Sequence, residues 1–138
     1  LEAWNHAGLR AQIDSLTEKG DLIAILCKWS AYNASERVAH NRLSYPNNVK
    51  IVRVPCTGTV DPSHVMLALH KGAKGVLIGG CYPNACHYAR GNFRAKAREQ
   101  ILRLNLGSMG MDENTVRLEW IGKDEANKFL EIIKDMNK

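Results

Sequence analysis

Apolar positions along this chain follow two alternating patterns. Short continuous or every-other-residue runs suit strands; apolar residues returning every three or four positions suit helices. Trp4, Leu9, Ile13 and Leu16 have helical spacing, and Gly20 ends that stretch. Residues 21–27 (DLIAILC) read as a first strand, followed by a weaker helical stretch over 29–42. Val49–Val54 (VKIVRV) alternates and is rich in β-branched residues, which predicts a second strand. Asp61-Pro62 is a helix start, with a capping Asp and Pro at the first helical position. Val65, Met66 and Leu69 follow on one face, and Gly72 closes the helix. The run Val76-Leu77-Ile78 marks a third strand over 75–79. Ala97, Ile101 and Leu104 give a long helix starting near Gly91 an apolar face, with Gly107 or Gly110 as its stop. Residues 116–121 (VRLEWI) read as a fourth strand, and Phe129, Ile132, Ile133 and Met136 as the face of a last helix.

Strands that alternate with helices predict an α/β single domain. Its expected form is a four-stranded, mostly parallel sheet with helices on both faces, flavodoxin-like or Rossmann-like, plus an N-terminal helix. Residues 1–20 form that helix or a docking segment, and residues 21–138 form the α/β domain proper.

With 138 residues, 45% of them apolar, the chain can bury a core of ordinary size. No apolar run approaches the roughly 20 residues of a membrane helix, and the start lacks the basic lead and apolar core of a secretion signal. A cytoplasmic protein that engages no membrane is expected. The net charge of +5 permits an acidic or nucleic-acid partner. Arg90, Arg94 and Arg98 recur every four residues, but no nucleic-acid motif accompanies them, so a solvated face or a protein-docking surface is expected and nucleic acid is not. No glycine-rich phosphate loop is present, so no nucleotide or flavin is expected in this chain.

The chemistry lies in the four cysteines. Cys27, Cys56 and Cys81 each follow a predicted strand, and Cys86 returns four residues after Tyr82. Ligands in parallel α/β sheets bind outside the carboxyl ends of the strands, so this topology gathers residues far apart in sequence. Gly58, Gly79 and Gly80 leave room for backbone N–H groups beside the sulfurs. Four thiolates can hold a 2Fe–2S cluster, which would use every cysteine present. Structural zinc is the rival, although its usual paired short knuckles are absent. A redox dithiol at Cys81 and Cys86 and four buried, inert thiols also stay open. His87, beside Cys86, is placed near the bound group in a supporting or structural role. His6, His40, His64 and His70 read as surface residues. Ser30 lacks the His-Asp company of a nucleophile.

Several linked motifs resemble one family. They are Val54-Pro55-Cys56-Thr57-Gly58, Gly80-Cys81-Tyr82-Pro83-Asn84-Ala85-Cys86-His87-Tyr88, Gly91-Asn92-Phe93-Arg94-Ala95 and Arg117-Leu118-Glu119-Trp120-Ile121. In this order they resemble the delta subunit of methyl-viologen-reducing hydrogenase, from about residue 21 onward. The resemblance implies a 2Fe–2S electron relay in an anaerobe. Its implied partners are a hydrogenase or formate dehydrogenase and the FAD-containing subunit of heterodisulfide reductase, with the FAD in the partner. It also implies Cys27, Cys56, Cys81 and Cys86 as ligands. Where the family has Cys-x-Trp-Cys, this chain reads Cys27-Lys28-Trp29-Ser30. Four cysteines remain, so the missing thiol is expected to be dispensable for ligation. The alternative expectation is a zinc-stapled or metal-free module that only joins subunits of an oxidoreductase complex.

Overall fold

The computed structural model describes residues 6–40, 46–82 and 91–137. Its elements are α1 (His6–Leu16), β1 (Leu22–Cys27), α2 (Ala31–His40), β2 (Val49–Val54), α3 (Pro62–His70), β3 (Gly75–Gly80), α4 (Gly91–Ser108), β4 (Val116–Trp120) and α5 (Ala126–Met136). The four strands form one wholly parallel sheet in the order β2-β1-β3-β4. The fold is therefore α/β with a helix added at the N-terminal side. Its strand order matches the flavodoxin-type arrangement over the four strands.

Strand direction and side-chain alternation produce two cores. Ile23, Ile25, Val76 and Ile78 face α1, α3 and α4, while Leu22, Ala24, Leu26 and Leu77 face α2 and α5. β1 and β3 are buried along their whole length. This explains why they read as continuous apolar runs rather than as alternating ones. α1 packs by Leu9 and Ile13, both buried in the first core. Trp4 lies outside the described residues.

α3 begins as its sequence predicts. The Asp61 carboxylate accepts from the Ser63 N–H at 2.9 Å, and Pro62 takes the first turn. The reciprocal bond runs from the Asp61 N–H to Nδ1 of His64 at 3.0 Å. His64 is thus a buried capping residue and not a surface one. Val65 is buried with Ala68, while Met66 is exposed.

α4 differs more from its sequence pattern. Ile101 and Leu104 are 61% and 67% exposed, and Ala97 also faces outward. The buried face carries Ala95, Glu99, Leu102 and Leu106. Glu99 accepts from the Leu118 N–H of edge strand β4 at 3.1 Å and pairs with Lys96 at 3.1 Å and Arg103 at 3.7 Å. A carboxylate held by two cations and a backbone donor can be buried where an unpaired one cannot.

Two adjacent glycines shape the carboxyl end of β3. A Cβ on Gly79 would lie 2.7 Å from Leu26 Cδ2 and 2.9 Å from Ala31 Cβ, so a side chain there would collide with the first turn of α2. A Cβ on Gly80 would lie 3.0 Å from Thr57 Oγ1, against the 3₁₀ turn Thr57–Thr59 that follows Cys56. Their small size thus lets the segments after β1 and β2 close on the end of β3, Gly79 for α2 and Gly80 for the Cys56 turn.

Candidate metal centre

In the β2-β1-β3-β4 order, the chain leaves β1 toward β2 and later crosses back to place β3 on the other side of β1. The helices that follow β1 and β3 lie on opposite faces, α2 in one core and α4 in the other. A crevice opens at such a switch point, at the carboxyl edge of the sheet. Cys27 ends β1 and Cys81 follows β3, so these two flank it. Their sulfurs are 3.5 Å apart and buried. Two thiolates bound at about 2.3 Å to one tetrahedral metal lie about 3.8 Å apart, so this pair is close to a ligand edge. Cys56, just after β2, is also buried.

Each of the three sulfurs faces a donor. The Trp29 N–H donates to Cys27. The Gly58 N–H donates to Cys56 Sγ at 3.4 Å. The Ser30 hydroxyl donates to Cys81 Sγ at 3.3 Å. A thiol sulfur is a weak acceptor, and a hydrogen bond to an ionised acceptor is about twice as strong as a neutral one. This donor set therefore suits thiolates. The Cys56 turn is fixed in addition by Arg98, whose guanidinium donates to Gly58 O at 2.6 Å and Val60 O at 3.0 Å. Arg98 thus turns inward onto this loop, whereas Arg94 is exposed.

As a bare thiol Cys27 holds its proton. The hydrogen bond with Cys81, then burial, pushes the Cys27 thiol far above its ordinary range, and the Trp29 N–H opposes this only in part. A reactive thiol needs the opposite displacement. Bound metal ionises its thiol ligands outright, so a cation is what would convert this pair into thiolates. Among the described residues, no three His, Cys, Asp or Glu side chains converge as a site for one metal ion. Cys86 and His87 lie outside the described residues.

The family model for the methyl-viologen-reducing hydrogenase delta subunit matches residues 22–138. The chain belongs to this family. An iron-sulfur subunit of the F420-non-reducing hydrogenase of Archaeoglobus profundus is 41% identical over 117 residues, 85% of each chain. The vhc iron-sulfur subunit of the corresponding hydrogenase of Methanococcus voltae is 35% identical over 83% of this chain and 80% of its own. The same stretch is also similar to part of a much longer protein. This is a subunit of the ferredoxin/F(420)H(2)-dependent CoB-CoM heterodisulfide reductase of Methanosarcina acetivorans, 37% identical over 85% of this chain but 15% of its own length.

Within this domain, the structure brings Cys27 and Cys81 together and places Cys56, with Gly58 donating to it, just after β2 at the same edge of the sheet. The room left by Gly79 and Gly80 is taken by Leu26, Ala31 and Thr57. Ser30 is the residue that sequence reasoning undervalued. Its signal was positional: it stands three residues after Cys27, at the head of α2, where the topology points back toward the end of β3. Tyr82 is tied beside the centre by Lys128, whose ammonium donates to its hydroxyl at 2.8 Å and to Trp120 O at 2.6 Å. No helix among the described residues is long and apolar enough to cross a membrane.

Proposed function

We propose that this domain relays single electrons inside a larger oxidoreductase complex, with Cys27, Cys56, Cys81 and Cys86 holding a 2Fe–2S cluster. The observation that carries the reading is the set of buried sulfurs of Cys27, Cys56 and Cys81 at one sheet edge, each met by its own donor. A bound cluster would supply reversible one-electron chemistry. The chain's own residues do the rest. Cys27 and Cys81 come from adjacent strands whose positions the sheet fixes, so little reorganisation accompanies a change of charge. The N–H groups of Trp29 and Gly58 stabilise negative charge on sulfur. Burial by the α2 head and the Cys56 turn keeps water from the sulfurs.

The implied partners are a hydrogenase or a formate dehydrogenase on one side and an FAD-containing heterodisulfide reductase subunit on the other. The names of the relatives support the hydrogenase and the heterodisulfide reductase sides: the separate chains are hydrogenase iron-sulfur subunits, and the long one belongs to a heterodisulfide reductase. His87, adjacent to Cys86, is proposed to lie near the bound group, and no FAD is proposed in this chain.

The test is anaerobic purification with iron and zinc analysis, and EPR before and after dithionite. About two irons per chain and a signal that appears only on reduction are expected. One zinc per chain and no signal would make the same cysteines a staple in a module that joins subunits, and would end the relay reading.

A further inference from the structure

Ser30 is buried, and its main chain is fixed at both ends. Its N–H donates to Cys27 O at 3.3 Å, and its carbonyl accepts from the Ala34 N–H at 3.1 Å. The residue therefore cannot drift from the end of β1 or from the first turn of α2. Gly79 adds the third constraint: with no Cβ there, Ala31 sits against β3, and its neighbour Ser30 reaches across to Cys81. The hydroxyl is 3.3 Å from Cys81 Sγ. A backbone N–H is dictated by the fold, whereas this donor is a side chain that one substitution removes.

We propose that Ser30 is a positioning and tuning residue: its hydroxyl donates to the Cys81 thiolate and favours the reduced form of the centre. The inference rests on the iron–sulfur reading above. Reduction adds one electron and makes no new bond, so the thiolates carry more negative charge afterwards. A hydrogen bond to a more negative sulfur is stronger, and hydrogen bonds to the sulfurs are one of the determinants of the potential. The donor therefore raises the midpoint potential. Ser30 is not a ligand in this account, because the oxygen points its proton at a sulfur that ligates.

The test compares wild type, Ser30→Ala and Ser30→Thr, purified anaerobically as full chains. Iron content, midpoint potential by mediated titration followed by EPR, and thermal melting are read for each. Ser30→Ala is expected to keep its iron and shift to a lower midpoint potential, and Ser30→Thr to stay near wild type. An unchanged midpoint in Ser30→Ala would overturn the proposal, even if its melting temperature fell. Loss of iron from Ser30→Ala alone would also overturn it and make Ser30 necessary for holding the centre.

A second readout separates this inference from the nature of the metal. Each variant is loaded with Co²⁺, and the sulfur-to-cobalt charge-transfer band is recorded. Loss of the hydroxyl is expected to move the band to longer wavelength, because an unbonded thiolate gives up its electron more easily. A band that does not move would count against the hydrogen bond itself. A wild-type chain that takes up cobalt but no iron would end the 2Fe–2S reading while leaving this bond testable. One that takes up neither would end both.

Discussion

Single residues in this protein are defined by what meets them across the fold. Asp61 is the clearest case outside the candidate metal centre. The Ser63 backbone N–H, then its hydroxyl, and more weakly His64 and the charge of Arg98 hold its carboxyl below the ordinary value of 3.8. A depressed folded-state pKa means stability that is complete above the unfolded value and is lost as pH falls through the folded one. Melting temperature should therefore fall below about pH 4. Asp61→Asn keeps a capping oxygen but removes the charge, so its acid limb should be shallower while its neutral-pH stability stays close to wild type. Parallel limbs for the two proteins would refute that assignment. Glu125 is likewise lowered, first by the Tyr82 hydroxyl and then by the Gly122 N–H, so some acid sensitivity remains in the variant. Cys27 moves the other way, because its neighbours are another thiol and the core rather than cations.

At the scale of elements, α4 shows where periodicity misleads. Two faces of one helix compete for the core. The exposed face carries Ile101 and Leu104, while the buried one carries Glu99 among Ala95, Leu102 and Leu106. A hydropathy pattern counts Glu99 against burial; only the Lys96 and Arg103 charges and the edge of β4 reverse that. Leu102→Ala should thus cost about 3 kcal/mol in chemical denaturation. Ile101→Lys should stay within about 0.5 kcal/mol of wild type. Comparable losses in both would mean that the outward face is the packed one. The strands were legible for the converse reason: parallel strands covered on both faces need apolar residues at nearly every position, and β1 and β3 have them. His64 escaped notice because its capping partner is a main-chain N–H, which leaves no mark in the sequence.

The whole molecule brings distant residues to one edge. Cys27 and Cys81 are 54 positions apart, yet their sulfurs lie 3.5 Å from each other. This was legible because a cysteine after each of three parallel strands has one edge to occupy. The donors were legible only in part. Gly58 was marked by its type, while Trp29 acts through its backbone, and Ser30 acts only because Gly79 admits α2. The central claim is that one redox centre sits at this edge and needs all four cysteines. Iron and acid-labile sulfide per chain, measured after replacing Cys27, Cys56, Cys81 and Cys86 one at a time by Ala, test it most directly. The account predicts that each replacement loses the intact centre while the chain remains folded. A single variant that retains full iron and sulfide, with the reduced-state EPR signal of wild type, would contradict it.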